Sequence, residues 1–213
     1  MGLRRSPKDT RPLALKNTDN KTICAVTAKA LNPAAVACIH ASQRGFVSKR
    51  QFVQNILDID TNARIDAFKC LHRRSNPSFE TNLPNHGIAE LACCALFDFA
   101  TAFPSIYVEW LFLVLDSIGT PDGAKDIIKH MYSEAEAWAE ADGCHFFLFK
   151  IISGVLQGCP LSGFPFNICI DPLLWTFAST IAKTNLGITL ACADDLATAL
   201  KKLETLWNIY SFF

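Results

Sequence analysis

The sequence predicts an α+β fold, and three observations predict it. Two long helical periodicities occupy the first third of the chain. Two apolar runs of strand length, Leu91–Phe97 and Ile188–Ala193, are each followed directly by aspartate. Between them, Asp142-Gly143 is a hairpin turn signal. Half of the 213 residues are apolar and 19% are charged. That supplies a sizeable core and excludes a chain disordered throughout.

The elements follow in order. Arg11-Pro-Leu-Ala-Leu reads as a short extended segment. Asn17 to Asp19 offer helix caps, and an Ala-rich helix runs to about His40 with a weak point at Pro33. A loop around Gly45 follows. Residues 52, 53, 56, 57, 59, 63 and 67 are apolar, close to a helical period across Gln51–Phe68. Residues 72–87 carry two prolines and several Asn and Ser, and read as a loop. Ser105 is expected to cap a helix over Ile106–Ile118 that Gly119 stops. Thr120 is expected to cap the next helix, with Pro121 in its first turn. The hairpin pairs strands near 134–140 and 144–152. Ser162 is placed to cap a helix over about 164–181. A second hairpin turns at Asp194-Asp195 and returns over Leu196–Leu200, and a helix begins after Lys201.

Formal net charge is zero, from 20 basic and 20 acidic residues. That balance alone argues against a nucleic-acid partner. Residues 1–74, however, hold 14 Lys and Arg against 5 Asp and Glu, while residues 75–213 hold 6 against 15. A half at +9 and a half at −9 suggest two different jobs. The nine cysteines show no CxxC spacing and read as buried free thiols of a reducing, intracellular compartment, nuclear or cytoplasmic. The first residues have no apolar core behind Arg4 and Arg5, so no secretory signal is read there. Gly2 with Ser6 formally fits an acylation pattern, which a solvated basic segment explains more simply. Ile106–Ile118 contains Glu109 and Asp116 and is too short to span a bilayer, so no membrane partner is expected.

The chemistry sits in the carboxylates. Aspartate is depleted in strands, and an unpaired buried carboxylate is costly. Asp98, Asp194 and Asp195 stand at the ends of two apolar strands, which calls for a cation. If those strands are neighbours, Asp98 and Asp194 face each other, and divalent metals relieve their repulsion. Alone, Asp-Asp is commonly an exposed turn and a post-strand Asp a helix cap. A third element stands between them: Gly154-Val-Leu-Gln157-Gly158-Cys-Pro160-Leu-Ser162-Gly-Phe-Pro-Phe166-Asn167. Its glycines permit close backbone approach to a ligand, and Gln157 is able to bond a base or sugar edge.

Taken in order, these segments resemble the reverse transcriptase of non-LTR (LINE-like) retrotransposons. Asp98-Phe-Ala-Thr-Ala102-Phe103 is similar to that family's first palm motif, and Gly154–Asn167 to its Gln-Gly-Cys-Pro-Leu-Ser motif. Ala193-Asp194-Asp195 is similar to its Tyr/Phe-Ala-Asp-Asp motif. Arg11-Pro-Leu-Ala-Leu with Asn17-Thr18-Asp19 and Lys21 resembles its Arg-Pro-Ile segment, and Gln43-Arg-Gly45-Phe46-Val47 with Arg50 its Gln-x-Gly-Phe segment. The resemblance covers roughly 11–200.

It implies a right-hand polymerase fold with fingers over 1–90, a palm over 91–213, an antiparallel palm sheet packed on helices, and no thumb. It implies RNA-directed DNA synthesis: two-metal transfer of dNTPs to a DNA primer on an RNA template. Asp98 and Asp194 would hold two Mg²⁺, or Mn²⁺, with the Phe99 carbonyl as a further ligand and Asp195 in support. Phe103 would reject a 2′-hydroxyl, and Gln157 and Gly158 would line the nucleotide pocket. Arg11 and Lys21 would grip the triphosphate. Lys49, Arg50, Arg73 and Arg74 would contact the template backbone. The sequence also departs from the family. Cys192 replaces an aromatic that packs near the primer end, Lys49 replaces a glycine, and Gly163 replaces a proline. Only 18 residues follow Asp195, so a fragment is expected. Two alternatives stay open: an inactive retroelement remnant, and an RNA-binding module carried by residues 1–74.

Overall fold

The computed structural model describes residues 17–74, 88–133 and 135–210. The expected α+β character is observed. In chain order the elements are α1 (Thr18–Cys38), α2 (Phe52–Arg74), β1 (Cys93–Asp98), α3 (Ala102–Ser105), α4 (Val108–Ser117), α5 (Asp122–Tyr132), β2 (Glu136–Ala141), β3 (Cys144–Lys150), α6 (Gly163–Lys183), β4 (Gly187–Cys192), β5 (Asp195–Leu200) and α7 (Glu204–Tyr210). The extended segment expected at Arg11–Leu15 lies outside the described residues, as does most of the loop expected over 72–87.

These residues gather into two compact units, each built from two stretches of chain. One takes residues 17–37 and 101–169; the other takes 38–74, 88–100 and 170–210. The chain passes between the units at residues 37–38, at 100–101 and, within α6, at 169–170.

The second unit holds a three-stranded antiparallel sheet in the order β1-β5-β4. Register partners share a face, because side chains alternate along each strand. One face carries Cys94, Leu96 and Asp98 of β1, beside Ala199, Ala197 and Asp195 of β5 and Ile188, Leu190 and Cys192 of β4. Ile59 and Ala63, one turn apart on α2, pack on the Leu190, Ala199, Ile188 and Ala197 part of that face. Leu96 in the same row stays 79% exposed. The opposite face is buried at Leu196, Thr198, Leu200, Ala191 and Thr189. The edge of β4 is not bare. Residues 42–44 lie parallel to it, with Arg44 N–H donating to Ala191 O at 2.8 Å and Ala191 N–H to Ser42 O at 2.8 Å. An edge strand left open is a template for unwanted pairing, and this short segment covers it near Ala191.

The first unit is helical around α1, α4 and α5, with Cys24, Leu111, Val114, Leu115, Ile128 and Tyr132 buried. Asn17 caps α1 as expected, its Oδ1 accepting from Asn20 N–H at 2.9 Å. Two expected caps are corrected. Ser105 lies in α3 and donates to Thr101 O, while α4 starts after Tyr107 without a side-chain cap. The N-cap of α5 is Pro121, not Thr120. Gly119, at φ +67°, ends α4 as expected, and Thr120 N–H bonds Leu115 O at 3.0 Å. Asp142 (φ 51°) and Gly143 (φ 73°) turn the β2–β3 hairpin. Both central residues at positive φ give the tight turn that matches strand twist.

The cysteines are less uniformly buried than the sequence suggests. Cys24, Cys70, Cys159 and Cys169 are buried, but Cys38, Cys94 and Cys144 are exposed. Cys94 sits on a sheet face that α2 covers only partly, and Cys144 opens a strand exposed along its whole length.

Candidate active site

The three aspartates come together at one end of the three-stranded sheet, in a way that differs by one residue from expectation. The β4–β5 turn is Ala193-Asp194, and Asp195 is the first residue of β5. Asp98 therefore faces Asp195 across the register, while Asp194 sits on the adjoining turn. Cys192 is the register partner of Asp195 on its other side. One row of the sheet end thus reads Cys192, Asp195, Asp98, with Asp194 beside it. Asp98 and Asp195 are exposed and Asp194 is half-buried. The Cys192 thiol is pushed up by its burial, then by Asp195 and Asp194. It is held neutral beside the carboxylates. Phe99 directly follows β1.

The turn itself is held by a side chain far away in sequence. Ala193 sits at φ 57°, in the left-handed region that alanine rarely occupies. Gln43, fully buried, bonds both backbone groups of that one residue. Its Oε1 accepts Ala193 N–H at 2.8 Å, and its Nε2 donates to Ala193 O at 3.1 Å. The same Oε1 accepts Gly45 N–H at 2.8 Å. A Cβ on Gly45 would stand 2.3 Å from Ala193 N, so only glycine lets the loop lie this close. Asn55 of α2 donates to Ala191 O at 2.9 Å. Arg44 reaches Asp58 of α2 at 2.6 Å, which holds the Asp58 carboxyl below its ordinary range.

Arg50 lies beside the Gln43 loop, where its guanidinium is engaged by backbone. Its guanidinium donates to His40 O and Gln43 O at 2.7 Å each and to Ile39 O at 2.9 Å. It ties together the backbone ahead of the Gln43 loop. Asp171 of α6 accepts His40 N–H at 2.8 Å, and burial pushes its carboxyl up. Lys49 is exposed and stands at φ 67°. The conformation explains why glycine suits that position. Arg73 and Arg74 close α2, and their side chains lie outside the described residues.

Phe103, Gln157 and Gly158 belong to the other unit, where the segment just ahead of Gln157 pairs with the backbone around Phe103. Val155 N–H donates to Phe103 O at 2.8 Å and Gly154 N–H to Ile106 O at 2.7 Å. Gly154 (φ 104°) would place a Cβ 3.2 Å from the Pro104 Cα. The Phe103 ring stacks on buried Phe166 at 4.2 Å with an 8° interplanar angle, which holds its orientation. Ser162, ahead of α6, donates to Leu156 O and folds the glutamine loop back on itself. A cleft of about 1190 Å³ opens beside this loop, lined among others by Pro104, His130, Trp138, Phe149 and Gln157. Lys21 is exposed on α1, and Arg11 lies outside the described residues.

Among the described residues, no group of three or more His, Cys, Asp or Glu side chains forms a metal cage. The donor set nonetheless fits a hard divalent cation. Magnesium is usually held by one or two carboxylates with water and substrate phosphate, and here hard oxygens of Asp98, Asp195 and Asp194 share one sheet end. Gln43 and Asn55 do not stand out from local sequence as site residues. The only signal for Gln43 is its place in the Gln-x-Gly-Phe segment, and Asn55 gives none.

The sequence model of the family described as "Reverse transcriptase (RNA-dependent DNA polymerase)" matches residues 3–213. The chain is 28% identical over 193 residues to the retrovirus-related Pol polyprotein from type-2 retrotransposable element R2DM of Drosophila melanogaster, covering 89% of this chain and 16% of that one. It is 28% identical over 123 residues to the Pol polyprotein from type-1 retrotransposable element R2 of Bradysia coprophila, covering 55% of this chain and 14% of that one. The chain thus spans only a small part of the length of these relatives. Among solved structures it resembles apo telomerase from Candida tropicalis truncated from its C-terminal domain, with TM-score 0.55 and 18% identity, covering 91% of this chain and 36% of that one. It also resembles Candida albicans telomerase in complex with a TWJ fragment of telomeric RNA, with TM-score 0.52 and 12% identity, covering 90% and 31%. At those identities the structural likeness speaks for a shared polymerase fold. Family match, retroelement relatives and fold agree with the paired aspartates, and the chain belongs to the reverse transcriptase (RNA-dependent DNA polymerase) family.

Proposed function

We propose that this chain carries the catalytic core of an RNA-directed DNA polymerase that extends a DNA primer on an RNA template. The observation that carries the reading is Asp98 opposite Asp195, with Asp194 on the adjoining turn. Asp98, Asp194 and the Phe99 carbonyl would hold two Mg²⁺, for which Mn²⁺ is able to substitute. When bound, such ions lower the pKa of an attacking hydroxyl and neutralise the leaving pyrophosphate. Asp195 supports this set from the strand, and Cys192, neutral and small, borders it on the primer side.

The other chain groups orient and select. Phe103, braced by Phe166, presents a flat apolar wall that excludes a ribose 2′-hydroxyl. Gln157 and Gly158 supply an amide and an unobstructed backbone for the nucleotide and templating base. Arg11 and Lys21 hold the triphosphate, and Lys49, Arg73 and Arg74 neutralise template phosphates. Arg50, whose guanidinium is taken up by carbonyls, acts on the template only through the loop it holds.

The test is primer extension with Mg²⁺ or Mn²⁺ on an RNA template, using dNTPs and rNTPs. Wild type extends with dNTPs, and Asp98→Asn falls to background. Phe103→Ala gains rNTP incorporation. Equal extension by wild type and Asp98→Asn overturns the reading.

A further inference from the structure

The alanine between β4 and β5 stands in the left-handed region, next to the carboxylates. Asp194 follows it directly, so the direction of the Asp194 side chain depends on Ala193 keeping φ near 57°. Nothing in the local sequence enforces that conformation, since alanine has no intrinsic preference for it. What enforces it is the Gln43 amide, which satisfies both the N–H and the C=O of Ala193. Gln43 is 0% exposed, so no water competes for these bonds. Gln43, side chain and backbone, is in turn anchored from three sides. Gly45 N–H bonds its oxygen, Arg50 bonds the Gln43 carbonyl, and the parallel bridge to Ala191 fixes its backbone against β4. Asn55 fastens the same strand from α2. Such a network around a single turn is more than edge protection requires.

We propose that Gln43, seated by Gly45, is a positioning residue that presets the Ala193-Asp194 turn for divalent-metal binding. The inference rests on the proposed function, because it takes Asp194 as a metal ligand. Partners that orient a metal ligand from behind typically change affinity by about 10- to 100-fold when removed.

The test uses Mn²⁺ alone as the probe, by calorimetric or EPR titration of the whole chain, with no primer, template or nucleotide. Gln43→Met keeps the buried volume and removes all three side-chain bonds. Thermal melting checks that it is folded at the titration temperature. The expected result is a roughly 10-fold or greater loss of Mn²⁺ affinity in Gln43→Met. A folded Gln43→Met with wild-type affinity overturns the inference while leaving the functional reading intact. A wild type that binds no Mn²⁺, or binds it as well as Asp194→Asn does, overturns the functional reading and this inference together. If Gln43→Met does not fold, hydrogen exchange in wild type decides. Coupling is reciprocal, so saturating Mg²⁺ must slow exchange of the Ala193 amide. No change in that amide on Mg²⁺ addition overturns the inference.

Discussion

Single residues in this chain carry two kinds of role that one-letter patterns do not separate. Lys49 and Arg50 are adjacent cations, yet Arg50 spends its guanidinium on three backbone carbonyls while Lys49 is exposed in a left-handed conformation. Lys49→Gly is expected to relieve backbone strain and raise stability by up to about 1 kcal/mol, after the entropy of the unfolded glycine is offset. The same variant is expected to weaken RNA binding by removing the phosphate contact proposed for Lys49. Melting temperature and salt-dependent RNA affinity together check both halves. The Arg44–Asp58 pair gives a pH prediction. The Asp58 carboxyl is depressed below its ordinary value, first by its hydrogen bond from Arg44. Its contribution to stability is therefore present above the ordinary carboxylate range and lost as pH falls through the depressed value. Asp58→Asn should be less stable than wild type at neutral pH, and the gap should close in acid. A gap independent of pH between 7 and the acid limb, measured by denaturant unfolding, would contradict this.

At the scale of elements, the legible features were those written in adjacent residues. The Asp142-Gly143 turn, the stop at Gly119 and the strand end at Asp98 are local, and the structure has each of them. The features that were not legible are long-range or turn on a single residue of register. The clamp on Ala193 joins residues 150 apart, and its meaning appears only once β4 lies beside residues 42–44. The second hairpin turns one residue early, which exchanges the partner of Asp98 from Asp194 to Asp195. Ser105 looks like a cap by type, but a short α3 intervenes and absorbs it. The buried face of the sheet adds a prediction. Thr189 and Thr198 face each other in register, and neither hydroxyl has a hydrogen-bond partner among the described atoms. Replacing both by valine keeps shape and removes two desolvated hydroxyls. The double variant is expected to be neutral to about 2 kcal/mol more stable. Clear destabilisation in a denaturant melt would show that those hydroxyls are satisfied in solution.

For the molecule as a whole, the split in charge acquires a physical meaning. The basic half supplies Arg11, Lys21 and Lys49, placed by the proposal on phosphates, and the acidic half supplies the aspartates placed on cations. A net charge of zero hides both. The two compact units divide the candidate machinery, with Asp98, Asp194 and Asp195 in one and Phe103, Gln157 and Gly158 in the other. The central claim is that the aspartates at the sheet end perform templated DNA synthesis. The measurement that tests it most directly is paired primer extension on an RNA template by wild type and Asp194→Asn, both verified as folded. Wild type is expected to show dNTP- and metal-dependent extension, and Asp194→Asn none above background. Extension of equal rate by the two proteins, or none by a folded wild type with either metal, would contradict it.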